Sequence, residues 1–198
     1  MQVAVFTVDQ RASRSGHDRV PELLQRLAAH RMTLPFERTV GDEIQALTTD
    51  PTRVAEVAET LLRTGGWNVG IGLGEAEEPL PEHSREGRGS AYLHAREAVT
   101  AAKRSPWHVC VRGESPQAAR ALESALWLWA DLLHRRSSKG WAVVDLLDSG
   151  LTQEEAARRL GITQSAVTQR ARAAGLVEGR RAGELTGHLA GQALGVAS

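Results

Sequence analysis

Five polar side chains in the last quarter of the chain, Gln164, Ser165, Thr168, Gln169 and Arg172, are spaced to share one side of a helix. Amide and guanidinium groups form paired hydrogen bonds with base edges in a major groove. Short hydroxyls such as Ser165 and Thr168 bond either bases or phosphates. Thr163 and Arg170 flank the set, and Arg170, Arg172, Arg180 and Arg181 make this stretch basic against one acid, Glu178. A second set lies near the N-terminus. Asp9 and Asp42 would each fall at a strand end, where two carboxylates on one sheet edge can hold a hard cation such as Mg²⁺ through oxygen. Ser13, with Arg11 or Arg14, suits a phosphate, the usual companion of such an ion in a nucleotide. The same aspartates equally suit a turn and a loop cap. The seven histidines show no metal-ligand spacing, and there is neither a nucleophile elbow nor a P-loop. On its helix, His94 reads as a surface or packed histidine.

Bulk properties narrow the field. The 24 basic side chains balance 24 acidic ones, so any electrostatic grip on nucleic acid has to be local. A lone cysteine, Cys110, permits no internal disulfide, and its apolar neighbours predict burial. No run approaches the length of an apolar membrane span, and the first residues lack a basic leader. These features lead us to expect a soluble, cytoplasmic protein.

The elements that must position these side chains follow from periodicity and punctuation. Residues 3–8 read as a buried strand and 9–18 as a loop. One apolar helical face runs from Asp18 to Arg31. Strands 34–40 and 43–48 flank a turn at Gly41-Asp42. Asp50-Pro51 opens a helix that Gly65-Gly66 stops. In strand 67–74, Gly70, Gly72 and Gly74 alternate with apolar residues, so a ligand or a helix must approach closely. An acidic, Pro/Gly-rich surface loop, 75–89, precedes helix 90–103 and strand 107–112. Ser115-Pro116 caps a helix reaching about Arg136, whose Trp127 and Trp129 suit a core or a subunit interface. Helix 139–148 follows, and residues 180–195 suggest a weak, glycine-interrupted last helix. The order β-α-β-β-α-β-α-β predicts an α/β (α+β) domain with one mixed sheet, near the ferredoxin-like class.

Between these last helices, Thr152 and Glu155 form a capping box, and Gly161 suits a sharp turn. Ala156, Ala157, Leu160, Ile162, Val167 and Ala171 give the inward face, and Thr163 or Gln164 caps the second helix. Residues 152 to about 175 thus predict a helix-turn-helix whose second helix reads double-stranded DNA. This stretch resembles the helix-turn-helix of bacterial transcriptional regulators and of sigma-factor-like domains. Ala171 departs from the pattern, standing where many relatives carry a larger apolar residue. Helix 139–148 would complete an all-α domain.

Three N-terminal patterns, in order and spacing, resemble the SatD family of bacterial proteins over roughly residues 1–135. They are Asp9 with the following Ser13-Arg14, the Gly41-Asp42-Glu43 hairpin, and Gly70-Ile71-Gly72 before Gly89-Ser90-Ala91-Tyr92. The layout is also similar to the class III nucleotidyl cyclase fold. That resemblance implies Asp9 and Asp42 as a metal pair, with Ser13, Arg14, Gly41 and Glu43 toward a nucleotide ligand. No Lys/Asp pair for purine reading is evident, so the expectation is sensing rather than turnover. The alternative is a cyclase-like nucleotide-processing enzyme targeted by its helix-turn-helix. The expected organisation is a SatD-like domain over 1–113, a linker and dimerisation helix over 114–137, and the DNA-binding domain over 138–198. A homodimer follows because two recognition helices must enter successive major grooves.

Overall fold

The structure is a computed structural model that describes residues 1–12 and 16–195. Ser13 and Arg14, expected in the ligand loop, lie outside the described residues.

Alternating apolar residues build a sheet of five strands: β1 (Gln2–Gln10), β2 (Leu34–Arg38), β3 (Glu43–Thr48), β4 (Trp67–Glu75) and β5 (Val109–Gly113). Their spatial order is β2-β3-β1-β4-β5. β1 runs antiparallel to both β3 and β4, β2 antiparallel to β3, and β5 parallel to β4. The mixed α/β class is therefore as expected. The turn between β2 and β3 closes where Gly41 takes a φ of 64°.

Eight α-helices and a short 3-10 turn (Ser84–Glu86) accompany the sheet among the described residues: α1 (Val20–Leu27), α2 (Pro51–Thr64), α3 (Ser90–Ala102), α4 (Pro116–His134), α5 (Ser138–Asp148), α6 (Gln153–Leu160), α7 (Gln164–Ala173) and α8 (Leu176–Ala193). The expected caps form. Asp50 accepts the Thr52 N–H at 2.8 Å, and Ser115 accepts that of Ala118 at 3.3 Å. The first helix is shorter than its periodicity predicts, because the chain turns at Leu27, whose carbonyl accepts the His30 N–H at 3.0 Å.

Both faces of the sheet are covered. On one, Ala4, Phe6 and Val8 of β1 and Trp67, Val69 and Ile71 of β4 meet α1, α2, α4 and α8 in the main core. On the other, Val3, Val5 and Leu47 pack against Ala91, Tyr92 and Ala95 of α3, and Cys110 against Ala98 and Ala102. The glycines of β4 serve a helix. A Cβ on Gly70 would lie 2.2 Å from Val99 N, and one on Gly72 2.0 Å from Ala91 O, so only glycine admits α3.

In the stretch 114–137, one face of α4 joins the core. Leu122, Leu126, Trp129 and Leu133 are buried in the main core, and Trp127 donates its indole N–H to the Val109 carbonyl at 2.9 Å. The last helix begins at Leu176 rather than near residue 180, and its far end returns to the sheet unit, where Ala190 and Leu194 join the main core. Among the described residues, no helix is long and apolar enough to cross a membrane.

Candidate nucleic-acid interface

The helices α5, α6 and α7 share a small apolar cluster of Val143, Ala156, Ala157, Val167 and Ala171, with Leu160 and Ile162 at its margin. Small residues dominate it because the helices cross closely. The entry to α6 is fixed by a reciprocal cap: the Thr152 hydroxyl accepts the Glu155 N–H at 3.3 Å, and Glu155 accepts the Thr152 N–H at 2.8 Å. That backbone bond, reinforced by the Thr152 hydroxyl, holds the Glu155 carboxyl below its ordinary pKa. Gly161 ends α6 at φ 63° and ψ 35°, a left-handed conformation that turns the chain sharply into α7. Thr163 then caps α7 by accepting the Ala166 N–H at 3.1 Å, which decides between the two expected caps.

With Val167 and Ala171 buried, the opposite side of α7 is solvent-facing. Thr163, Gln164, Ser165, Thr168, Gln169 and Arg172 are all exposed, whereas Arg170 is half-buried. The expected reading set thus shares an accessible surface with two adjustments. Thr168 donates its hydroxyl hydrogen to Gln153 Oε1 at 2.6 Å, so it ties α7 to the start of α6. Arg180 is engaged by Asp148, Nε to Oδ1 2.9 Å, so its charge is partly spent inside the chain. Gln153 is a neighbour that sequence spacing did not single out. Its position at the first turn of α6 is its only sequence signal.

This group of helices is fastened to the sheet unit by a second set of charges. Arg63 of α2 makes a two-pronged pair with Asp145 of α5 at 2.6 and 2.7 Å, and its guanidinium lies 4.1 Å from the ring centre of Trp141. The other side of the junction is held by Arg136, which donates to the carbonyls of Ala174 at 2.8 Å and Gly175 at 3.3 Å.

The N-terminal residues come together less completely. Asp9 stands opposite Glu43 in the β1–β3 register, and the Asp42 carbonyl accepts the Gln10 N–H at 3.4 Å, so strand end and hairpin are neighbours. The Asp9 carboxylate, however, already accepts from Asn68 Nδ2 at 3.1 Å and pairs with Lys103 Nζ at 3.2 Å. Lys103, just past α3, was not legible as a partner because it lies 94 positions along the chain from Asp9. Glu43 accepts from the Thr39 hydroxyl at 2.8 Å, and Gly41 is exposed at the turn. Among the described residues no group of three or more His, Cys, Asp or Glu side chains is arranged to hold a metal ion. An aspartate neutralised by an ammonium does not by itself fit a Mg²⁺ site.

Comparison with known proteins adds no relative: no family model matches the chain, and neither a curated protein nor a solved structure matches it significantly.

Proposed function

We propose that this chain is a sequence-specific DNA-binding transcriptional regulator in which α6 and α7 form the helix-turn-helix and the sheet unit senses a ligand or mediates assembly. The observation that carries this reading is the two-sidedness of α7. Val167 and Ala171 are buried, while Gln164, Ser165, Gln169 and Arg172 stand exposed on a helix capped at its start. Paired donors and acceptors on a rigid helix suit base edges in a major groove. The capping box and the left-handed Gly161 support the same reading, since the first fixes the entry to α6 and the second the turn into α7. For the sheet unit, the succession β1-α1-β2-β3-α2-β4 with strand order β2-β3-β1-β4 supports the ferredoxin-like description. A homodimer would supply the second recognition helix for a palindromic operator.

Selection from randomised duplexes, followed by fluorescence anisotropy on the enriched sequence, tests this function. An enriched site is expected. Arg172→Ala and Gln169→Ala should each weaken it by about 1–3 kcal/mol and relax the preference at one position. Failure to enrich any sequence, or unchanged affinity in both variants, refutes the proposal.

A further inference from the structure

A cleft of about 650 Å³ lies where the sheet unit meets the C-terminal helices, walled by α2, α4 and α8. Its α8 wall is bare. Gly179, Gly183 and Gly187 recur every four residues and so line up along one helix face. Two large side chains lie against that stripe. A Cβ on Gly183 would sit 3.3 Å from the Trp129 ring, and one on Gly179 2.0 Å from Arg136 Nη2. At Gly187 the nearest atom to an added Cβ is 3.8 Å away, so the cleft stays open there.

Trp129 and Arg136 are 2% and 8% exposed, and each keeps a buried donor with no hydrogen-bond acceptor, Trp129 Nε1 and Arg136 Nη1. The nearest carboxylate to Nη1, that of Glu59, stands 4.0 Å away. A buried donor left without an acceptor costs about 1–3 kcal/mol, so two of them on side chains that line one cleft mark a place where an acceptor belongs. Both unsatisfied groups are donors and one is cationic, which selects an anion. The acids that also line the cleft, Glu56, Glu59, Asp148 and the exposed Glu184, disfavour a multiply charged one. Asp148 is already paired with Arg180, and Glu56 with Arg53. Burial holds the Glu59 pKa above the ordinary glutamate value. Trp129, Ala55 and Leu176 leave an apolar surface for the rest of the molecule.

We propose that this cleft binds a compact, ring-bearing monocarboxylate whose carboxylate accepts from Trp129 and Arg136, and that occupancy is transmitted to α7. The transmission runs through one group. Arg136 also donates to the carbonyls of Ala174 and Gly175, which close the C-terminal end of α7. A carboxylate at Nη1 pulls on the guanidinium that holds those carbonyls through Nε and Nη2, and so shifts the helix end. The binding site stands on its own observations, whereas the transmission rests on the DNA-binding reading.

The test uses the full chain and naphthalene-2-carboxylate as probe, followed by calorimetry and by the Trp129 indole N–H resonance, assigned with Trp129→Phe. Saturable binding with a shift of that resonance is expected. Gly187→Leu, which fills open space, should weaken binding about tenfold or more. The neutral analogue 2-naphthylmethanol should bind about tenfold more weakly, since it offers the guanidinium no negative charge. An unmoved Trp129 resonance, wild-type affinity in a folded Gly187→Leu variant, or equal binding of the alcohol overturns the site as described. With the selected duplex, saturation by the probe should change DNA affinity several-fold. Unchanged DNA affinity with the cleft occupied overturns the transmission alone. A chain that binds the probe but selects no duplex in its absence overturns the regulator reading and leaves the cleft intact.

Discussion

His83 Nδ1 and Glu37 Oε1 meet at 3.0 Å, joining the segment after β4 to the edge strand β2. The hydrogen bond to Glu37, reinforced by its charge, raises the His83 pKa above the ordinary histidine value. A raised folded-state pKa contributes stability below the unfolded value, and that contribution is lost as pH rises through the folded one. An NMR titration of the His83 ring should therefore give a midpoint above that of a free histidine, and Glu37→Gln should return it to the ordinary range. A midpoint that does not respond to Glu37→Gln excludes the pairing in solution. The contact also shows which residues could be read in advance. Gly161, Thr152 and Glu155 act within a few positions of themselves, so spacing was enough. Ser84 is fully buried with its hydroxyl donating to the Gln45 carbonyl at 2.8 Å, yet acidic, Pro/Gly-rich neighbours made its segment look like surface loop. Lys103 opposite Asp9 belongs to the same kind: a partner set by sheet order, which composition does not encode.

At the scale of elements, the seat of α3 on β4 depends on two missing side chains. The Cα register places Gly70 beside Cys110 and Gly72 beside Arg112, so α3 lies over the parallel pair of strands. A methyl at position 72 would meet the backbone of α3, which cannot yield as a flexible side chain would. Gly72→Ala should cost about 1–3 kcal/mol in urea denaturation, as overfilling a close-packed contact does. Gly41→Ala serves as a comparison, because a Cβ there has no atom within 4 Å and its cost is only that of its positive φ. Equal losses in the two variants would refute steric exclusion as the reason for glycine in β4. The alternation in residues 67–74 made the close approach legible while leaving its occupant open. A strand with every second side chain absent admits a ligand and a helix equally well, and only the chain's return through 90–102 decides. Caps and apolar periodicity fixed most helices in the same way. The extent of α1 was misjudged because Ala28 and Ala29 continue a helical composition where the chain has already turned.

Over the whole molecule, α8 joins what the sequence divides. Its first turn borders the small cluster of α5, α6 and α7 through Leu176, and its last residues close the main core with Ala190 and Leu194. Glycines at four-residue intervals weaken helix propensity, which is why the segment read as marginal. Tertiary contact overrides that deficit, since α8 packs against both α2 and α4. Leu194, just past α8, is only 4% exposed. Leu194→Ala should thus cost about 2–5 kcal/mol, the usual penalty for emptying a core site. Because α8 spans both clusters, the loss should appear as one earlier transition when tryptophan fluorescence and helical circular dichroism are followed together. Two separated transitions in the wild-type chain would mean that the two clusters unfold independently. A cost under about 0.5 kcal/mol, the level of an unconstrained surface position, would mean that α8 does not close the core.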